Sequence, residues 1–516
     1  MYSTDTPAQI RLSITSGNKG NALCLVAGAL YSLGFAPIGV WPITILSIAL
    51  FILLLQGQTP RTAMLRGWLY GCGLYGVGVS WVFVSIHYHG NTPAPLAAIM
   101  TFIFSGGLAL LFGAQAWVYQ KLHLHRFGLI AFASLWILFE WVKIELLSGF
   151  PWLFAGYAFI DAPLKQFAPI VGVLGISWLV VVSAYLLLIA AQHPTKRILA
   201  IAVVAIIWGS SYPLATQEWT TITLKDPLNV SLIQGNIPQE KKWDPLERNN
   251  IIDTYLQLTE TEWEQDIILW PEAAYPIFHN EAQEIIARID IKGRSTKTAI
   301  ISGVPSWEQE GESYFYYNSI FVTGAGEGMY HKQKLVPFGE FIPFESLIRG
   351  TLPFFDLPLS SFSRGKHNQP ILTAKGYSLA PFICYEVLYP ELVRRLGKDA
   401  DFLLTVSNDA WFGTSWGPDQ HFEMVRMRAL ELGKYMLRGT NTGITAIIDH
   451  KGNTVKMLPK FVEGVLRGQI LRSSGNTPYS YYGYWPPLGG AALIIVISSF
   501  LAWRLQKKQP VLASQL

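Results

Sequence analysis

The distribution of apolar residues constrains this chain more than any other feature. From Asn21 to about Pro213 almost every residue is apolar, aromatic or glycine. Residues 217–484 then read as an ordinary globular domain, and a last apolar run extends from about Pro486 to Trp503. A helix crossing the hydrocarbon core needs about 20 predominantly apolar residues. Eight segments approach that length: about 21–36, 40–56, 67–87, 95–119, 127–147, 169–191, 198–213 and 486–503. The expected architecture is a polytopic α-helical membrane bundle of eight spans with an inserted α/β domain. Residues 1–216 hold seven spans, 217–484 the inserted domain, and 485–516 the eighth span and a tail. The composition agrees, since 51% of 516 residues are hydrophobic and only 14% charged, against about 25% charged in a soluble domain. The first segment is not read as a cleavable signal, because its charged lead-in is long and further spans follow.

Basic residues set the expected orientation. Arg11 and Lys19 precede the first span, Arg61 and Arg66 lie between spans two and three, and Lys121 and Arg126 between four and five. Lys196 and Arg197 follow between six and seven, and Arg504, Lys507 and Lys508 after eight. The opposite loops hold only Lys143 and Lys165. Lys and Arg are retained on the cytoplasmic side. Both termini are therefore expected in the cytoplasm and the inserted domain on the outer side, the periplasm of a Gram-negative cell. A net charge of +4 is too small to suggest nucleic acid as a partner.

In the inserted domain, short apolar runs such as "NVSLIQGNIP", "DIILWPEAAYP", "TAIISGVP", "SIFVTG", "SLAPFICYE", "DFLLTVSND" and "NTGITAIID" read as strands. "PLERNNIIDTYLQLTE", "EAQEIIARIDIKG" and "HFEMVRMRALELGKYML" read as helices. In the last, Met424, Val425, Met427, Leu430 and Leu432 oppose Arg426, Arg428, Glu431 and Lys434, which predicts one buried face. Alternating strands and helices predict a layered α/β domain.

Three reactive groups stand where strands give way to turns: Glu272 in "WPEAAYP", Lys332 in "YHKQKLVPFGEFIP" and Cys384 in "APFICYEVLYPELV". A thiol is nucleophilic as thiolate. A carboxylate can take its proton, and an ammonium can stabilise an oxyanion forming on a carbonyl. The helix expected at "YPELVRRLG" adds a favourable dipole. Together these groups make an acyl-transfer site. Each also has a plainer reading: Cys384 as a small core residue, Glu272 as a turn cap, Lys332 as a solvated surface charge. They are far apart in sequence, and spacing alone leaves both readings open.

Other motifs carry less. "GCGLYG" (Gly71–Gly76) matches a dinucleotide fingerprint but lies inside an apolar span with no preceding strand, where small residues serve helix packing. His87 and His89 in "HYH", and His123 and His125 in "HLH", fall on opposite membrane faces by the expected topology and read as interfacial polar residues. "SGFPWLFAGYAF" reads either as part of a lipid-facing rim or as an interfacial aromatic belt. Three cysteines give no disulfide framework, and no organic cofactor or metal site is apparent.

In this order "WPE", "K-x-x-LVPFGE" and "CYE" resemble the nitrilase superfamily, whose Glu, Lys and Cys act on an αββα sandwich. The longer strings "QGNIPQEKKWDP", "ICYEVLYPEL" and "SNDAWFGTSWGPDQH" are similar to its membrane-embedded, acyl-transferring branch. The resemblance implies catalytic roles for Glu272 as base, Lys332 as oxyanion cation and Cys384 as nucleophile. It implies supporting roles for Glu340, Glu386 and Tyr385, and a substrate-binding role for Trp243. It also implies a phospholipid acyl donor resembling phosphatidylethanolamine and a diacylated apolipoprotein acceptor, without a cofactor. The implied reaction moves the sn-1 acyl chain through a Cys384 thioester to the α-amino group of the acceptor's S-diacylglyceryl-cysteine. That would be the last step of bacterial lipoprotein maturation at the inner membrane. Two rivals stand beside it: a membrane-tethered amidase acting on a small amide, and a non-enzymatic transporter or scaffold.

Overall fold

The structure, a computed structural model, describes residues 17–342 and 362–512, with side chains as far as Lys507. It divides into two compact units. One holds the chain up to Phe83, Pro95–Gln217 and the part from Tyr484, and the other holds Val84–Ala94 and Glu218–Gly483.

The first unit is mostly helical. Its helices are α1 (Gly17–Tyr31), α2 (Trp41–Leu55), α3 (Pro60–Gly78), α4 (Ala94–Lys121), α5 (Gly128–Glu145), α6 (Ala168–Gln192), α7 (Arg197–Gly209) and α8 (Trp485–Leu512). All eight expected segments are thus helical. By length and composition four stretches can cross a membrane: Ala94–Lys121, Pro163–Gln192, Pro194–Ala215 and Trp485–Lys507. A fifth is added if Pro60–Gly78 and Val82–His89 form one broken span. α1 and α2 have 15 residues each, about 22 Å at 1.5 Å per residue, short of a hydrocarbon core of about 30 Å.

Several sequence expectations change here. Arg66 and Lys143 were counted as loop charges, yet both lie in helices and are buried. Arg66 donates to the Leu54 carbonyl at 2.5 Å and Lys143 to that of Trp152 at 3.1 Å. Arg11 and the side chain of Lys508 lie outside the described residues. "PWLFAGYAF" is buried, so it forms neither a lipid-facing rim nor an exposed belt. Phe154 stacks on Tyr157, and the Ala155 amide donates to Glu140 at 2.8 Å. Two glycines of "GCGLYG" do serve packing: a Cβ on Gly73 would fall 2.0 Å from the Leu25 carbonyl of α1, and one on Gly71 would fall 2.7 Å from the Ala109 Cα, whereas Gly76 has open space.

Among the described residues, the second unit is built on twelve strands in the order β11-β10-β9-β8-β7-β6-β5-β4-β3-β2-β1-β12, in which β6 is Leu372–Ala374. β1 (Thr221–Gln234), β2 (Ile267–Leu269) and β3 (Ala299–Glu310) pair in parallel, with helices Arg248–Thr259 and Gln283–Thr296 between them. The same plan recurs in β7 (Tyr377–Ile383), β8 (Phe402–Ser407) and β9 (Met436–Thr440), with helices Pro390–Gly397 and Gly417–Leu432. β4 (Ser313–Gly324) and β5 (Gly326–His331) follow β3 antiparallel. The sheet folds over, so that β1 faces β9 and β10 (Thr445–Ile448), and β11 (Thr454–Leu458) faces β12 (Gly464–Ser474). Leu232, Ile301, Leu404, Leu437 and Ile447 fill the space between the two halves. Ile252, Tyr255, Trp270 and Ile286 fill the layer under the first helix pair. Each such side chain contributes about 2 kcal/mol by leaving water. The layering is helix–sheet–sheet–helix.

The helix read over "HFEMVRMRALELGKYML" ends sooner, at Leu432, where Gly433 takes φ 64° and closes it. The following Met436–Leu437 belong to β9. Its polar face is also covered: Arg428 and Glu431 are buried and bond each other at 3.0 Å. A second layer on that face, invisible to periodicity, replaces solvent with an ion pair.

Candidate active site

The site gathers at the carboxyl ends of the parallel strands, where open α/β sheets leave a crevice. β2 ends at Leu269, and Pro271, lacking an N–H, stops the ladder. Glu272 follows. Its Oε1 accepts from Asn318 Nδ2 at 2.8 Å and its Oε2 from the Asn408 amide at 2.7 Å. Lys332 sits one residue beyond β5, 1% exposed, with Nζ 2.8 Å from Glu340 Oε1 and 3.7 Å from Glu272 Oε1. Asn318 Nδ2 also donates to Glu340 at 2.9 Å, so one amide bridges both carboxylates. Glu340 Oε2 accepts from the Val336 amide at 2.9 Å. Burial works against the Lys332 ammonium, but Glu340 and then Glu272 overcome it and hold it above the ordinary lysine range.

Cys384 stands immediately after β7 with φ 52° and opens a single 3-10 turn, Cys384–Leu388. The longer helix begins only at Pro390, so the expected helix dipole is not at the sulfur. Cys384 is partly exposed. Burial of its thiol, followed by the negative charge of Glu272, pushes it up to about 12, while Lys332 and the Ser407 hydroxyl pull it down. The resting sulfur is therefore a thiol, and activation requires a base.

Glu386, fully buried, is a tie between two loops. Its Oε1 accepts from Tyr330 OH, the Gln333 amide and the Lys334 amide at 2.9, 2.6 and 3.1 Å. Its Oε2 accepts from the Ile383 amide at 2.9 Å. One carboxylate thus joins the segment after Lys332 to the strand end before Cys384. Burial outweighs these four donors and pushes its carboxyl up to about 7. Tyr385 is buried, its ring edge-on to Tyr389. Trp243 is half-buried at the end of the short helix Gln239–Lys242.

Sequence reasoning did not single out Lys242, Asn318 or Asn408. Lys242 is buried and donates to the Glu272 carbonyl at 2.8 Å. Burial pushes its ammonium down to about 8, against the opposing pull of Glu272 and Cys384. Asn318 lies mid-strand in β4, and its only signal was an amide amid the apolar run "YYNSIFV". His87 and His89 belong to the second unit: His87 Nδ1 lies 2.7 Å from the Thr92 carbonyl and His89 packs edge-on to Trp411. Among the described residues no group of His, Cys, Asp and Glu could hold a metal.

The Glu272 turn has little slack. A Cβ on Gly303 of β3 would fall 2.6 Å from the Glu272 Cα and the Ala273 amide nitrogen, and 2.7 Å from the Pro271 carbonyl oxygen. All three are backbone atoms, so Gly303→Ala must displace the turn. Because small misplacements of reacting groups cost about a hundredfold, this variant is expected to lose about that much turnover while remaining folded. Turnover and thermal unfolding measured on the same preparation check it.

A buried carboxylate–ammonium pair beside a strand-end cysteine, on a helix–sheet–sheet–helix sandwich, defines the class: an enzyme of the carbon–nitrogen hydrolase, or nitrilase, superfamily. Residues 229–477 match the family described as carbon-nitrogen hydrolase, and residues 27–186 that described as apolipoprotein N-acyltransferase N-terminal domain. The apolipoprotein N-acyltransferase of Pseudomonas syringae pv. tomato is 44% identical over 499 residues, covering 95% of this chain and 98% of its own. That of Vibrio parahaemolyticus is 41% identical, covering 93% and 96%. A solved amidase from Nesterenkonia sp. is 17% identical with a TM-score of 0.35, over 48% of this chain and 92% of its own. The sequence relatives decide the matter: the chain belongs to the apolipoprotein N-acyltransferase family.

Proposed function

We propose that this protein moves an acyl chain from the sn-1 position of a phospholipid to the α-amino group of a lipoprotein's N-terminal S-diacylglyceryl-cysteine. The observation that carries this reading is one chain holding both a thiol site and an apolar helical unit, each matching its own half of the family.

The chemistry follows from the groups present. Glu272 takes the Cys384 proton as sulfur attacks the ester carbonyl. The oxyanion forms beside the Lys332 ammonium, and one such donor is worth about a hundredfold in rate or more. The tetrahedral centre collapses, the ester C–O bond breaks, and Glu272 returns its proton to the departing lysophospholipid. The acceptor amine then attacks the thioester. Its proton passes to Glu272 and on to the Cys384 sulfur as the C–S bond breaks. Both products are complete, and exchanging an ester for an amide is downhill, so no nucleotide is required. Glu340 supports Lys332, Glu386 supports the nucleophile loop, and Tyr385 and Trp243 belong to the walls of the lipid-binding region.

The acyl donor is of the phosphatidylethanolamine type and the acceptor a diacylated apolipoprotein. The protein acts as a multi-pass protein of the bacterial inner membrane, with cytoplasmic termini and a periplasmic catalytic unit. Basic residues at helix ends, such as Lys196 and Arg126, support that orientation. The test is acylation of a synthetic diacylated lipopeptide by purified protein in phospholipid vesicles. Phospholipid-dependent appearance of the triacylated product is expected. Ammonia release from small amides with the lipopeptide unchanged would instead establish the amidase.

A further inference from the structure

Behind Cys384 lies a buried polar chain that the reaction above does not use. Arg438 Nη2 donates to Asp409 Oδ2 at 2.6 Å and lies 3.3 Å from His421 Nδ1. His421 Nδ1 is 3.2 Å from Asp409 Oδ1, and His421 Nε2 is 3.3 Å from the Cys384 carbonyl oxygen. The Ser407 hydroxyl donates to Asp409 Oδ1 at 2.6 Å. Arg438, Asp409, His421 and Ser407 are all buried.

The proton positions follow from the partners. A carbonyl only accepts, so His421 Nε2 carries a hydrogen. Burial and the Arg438 charge favour the neutral ring. Nδ1 is then the lone-pair nitrogen and accepts from Arg438, while Asp409 takes its protons from Ser407 and Arg438. The chain runs Arg438 to His421 to the Cys384 carbonyl, with Asp409 fixing the guanidinium. Its far end is Cys384, a residue held in the left-handed region. A non-glycine residue near φ 52° costs about 1–3 kcal/mol and persists only where its surroundings over-determine it.

We infer that His421 is a positioning residue for the nucleophile: its ring holds the Cys384 carbonyl, so that the residue keeps the left-handed conformation that presents its thiol to Glu272 and Lys332. This rests on Cys384 being the nucleophile. The same turn also holds the base, since the amide of Asn408, between Ser407 and Asp409, bonds the Glu272 carboxylate. Ser407–Asn408–Asp409 therefore sets base and nucleophile in one frame. Nε2–H is retained whether the ring is neutral or charged, so His421 adds no limb of its own to the pH profile.

The experiment uses the full chain in phospholipid vesicles with the lipopeptide acceptor, comparing His421→Leu and His421→Gln. Glutamine keeps a donor near the Nε2 position, and leucine has none. His421→Leu is expected to slow acylation of Cys384 in a single turnover by about a hundredfold, with the KM for lipopeptide nearly unchanged. His421→Gln is expected to regain about tenfold of that loss, with a pH profile of unchanged shape. Rates are normalised to folded protein by thermal unfolding. The inference is overturned if His421→Leu acylates at the parent rate. It is equally overturned if glutamine is no better than leucine, or if the profile loses a limb. Activity surviving in Cys384→Ala would overturn the underlying reading instead.

Discussion

Cys384→Ala will abolish acyl transfer, by at least about 10⁴-fold, while leaving the protein folded. In the proposed mechanism Cys384 is the covalent nucleophile, and removing it costs nearly all the chemistry, because base and oxyanion cation then have nothing to act on. The fold survives because Cys384 is only partly buried and alanine removes a single sulfur atom. The conformation at this position is held through backbone contacts, notably the Cys384 carbonyl to His421 and the Ile383 amide to Glu386, which alanine retains. Transfer from phospholipid to the lipopeptide measures the loss, and thermal unfolding in detergent measures the fold. Residual transfer above a tenth of the parent rate would exclude Cys384 as the acyl carrier and favour direct attack by the acceptor amine.

Glu272→Gln should be nearly as severe, at about a thousandfold, within the range of a positioned general base. The argument is electrostatic. The Cys384 thiol is pushed up to about 12, first by its burial. At neutral pH almost no thiolate exists without a partner to take the proton. Glutamine keeps the shape of the side chain but cannot accept that proton, and it removes one of the two carboxylates facing Lys332. The loss should appear in formation of the acyl-enzyme, before the acceptor is added, and higher pH should recover part of it by ionising the thiol directly. A Glu272→Gln protein acylating within tenfold of the parent would assign the base elsewhere, with buried Lys242 the next group to test.

Much of the candidate site was legible because Glu272, Lys332 and Cys384 stand where apolar runs meet prolines and turns. Pro271 precedes Glu272, Cys384 closes the run of β7, and Lys332 follows β5. What holds them was not legible, because each support looks ordinary in its own segment. Asn318 sits in the middle of a strand, and its bridging amide matters only once β4 lies beside β3 and β5. Arg438 was hidden by a misread boundary: with "GKYML" taken as helix, the start of β9 and its inward-facing arginine disappeared. Asp409 and His421 are 12 residues apart and meet only because the helix Gly417–Leu432 turns back on the Asp409–Phe412 turn. The layered fold was legible in the alternation of strands and helices, whereas the fold-over of one twelve-stranded sheet was not. Strand pairings such as β1 with β12 join Leu232 to Leu466 across most of the domain, beyond the reach of local patterning. The apolar segments predicted helices correctly, but apolarity alone did not distinguish the 15-residue α1 and α2 from helices long enough to span.

The central claim is that Cys384 carries the acyl chain, and mass spectrometry of its peptide after incubation with phospholipid alone tests it most directly. The account predicts one acyl group on Cys384, removed when the lipopeptide is added and recovered on the lipopeptide amine. An unmodified Cys384 in a preparation that still acylates the lipopeptide would contradict it.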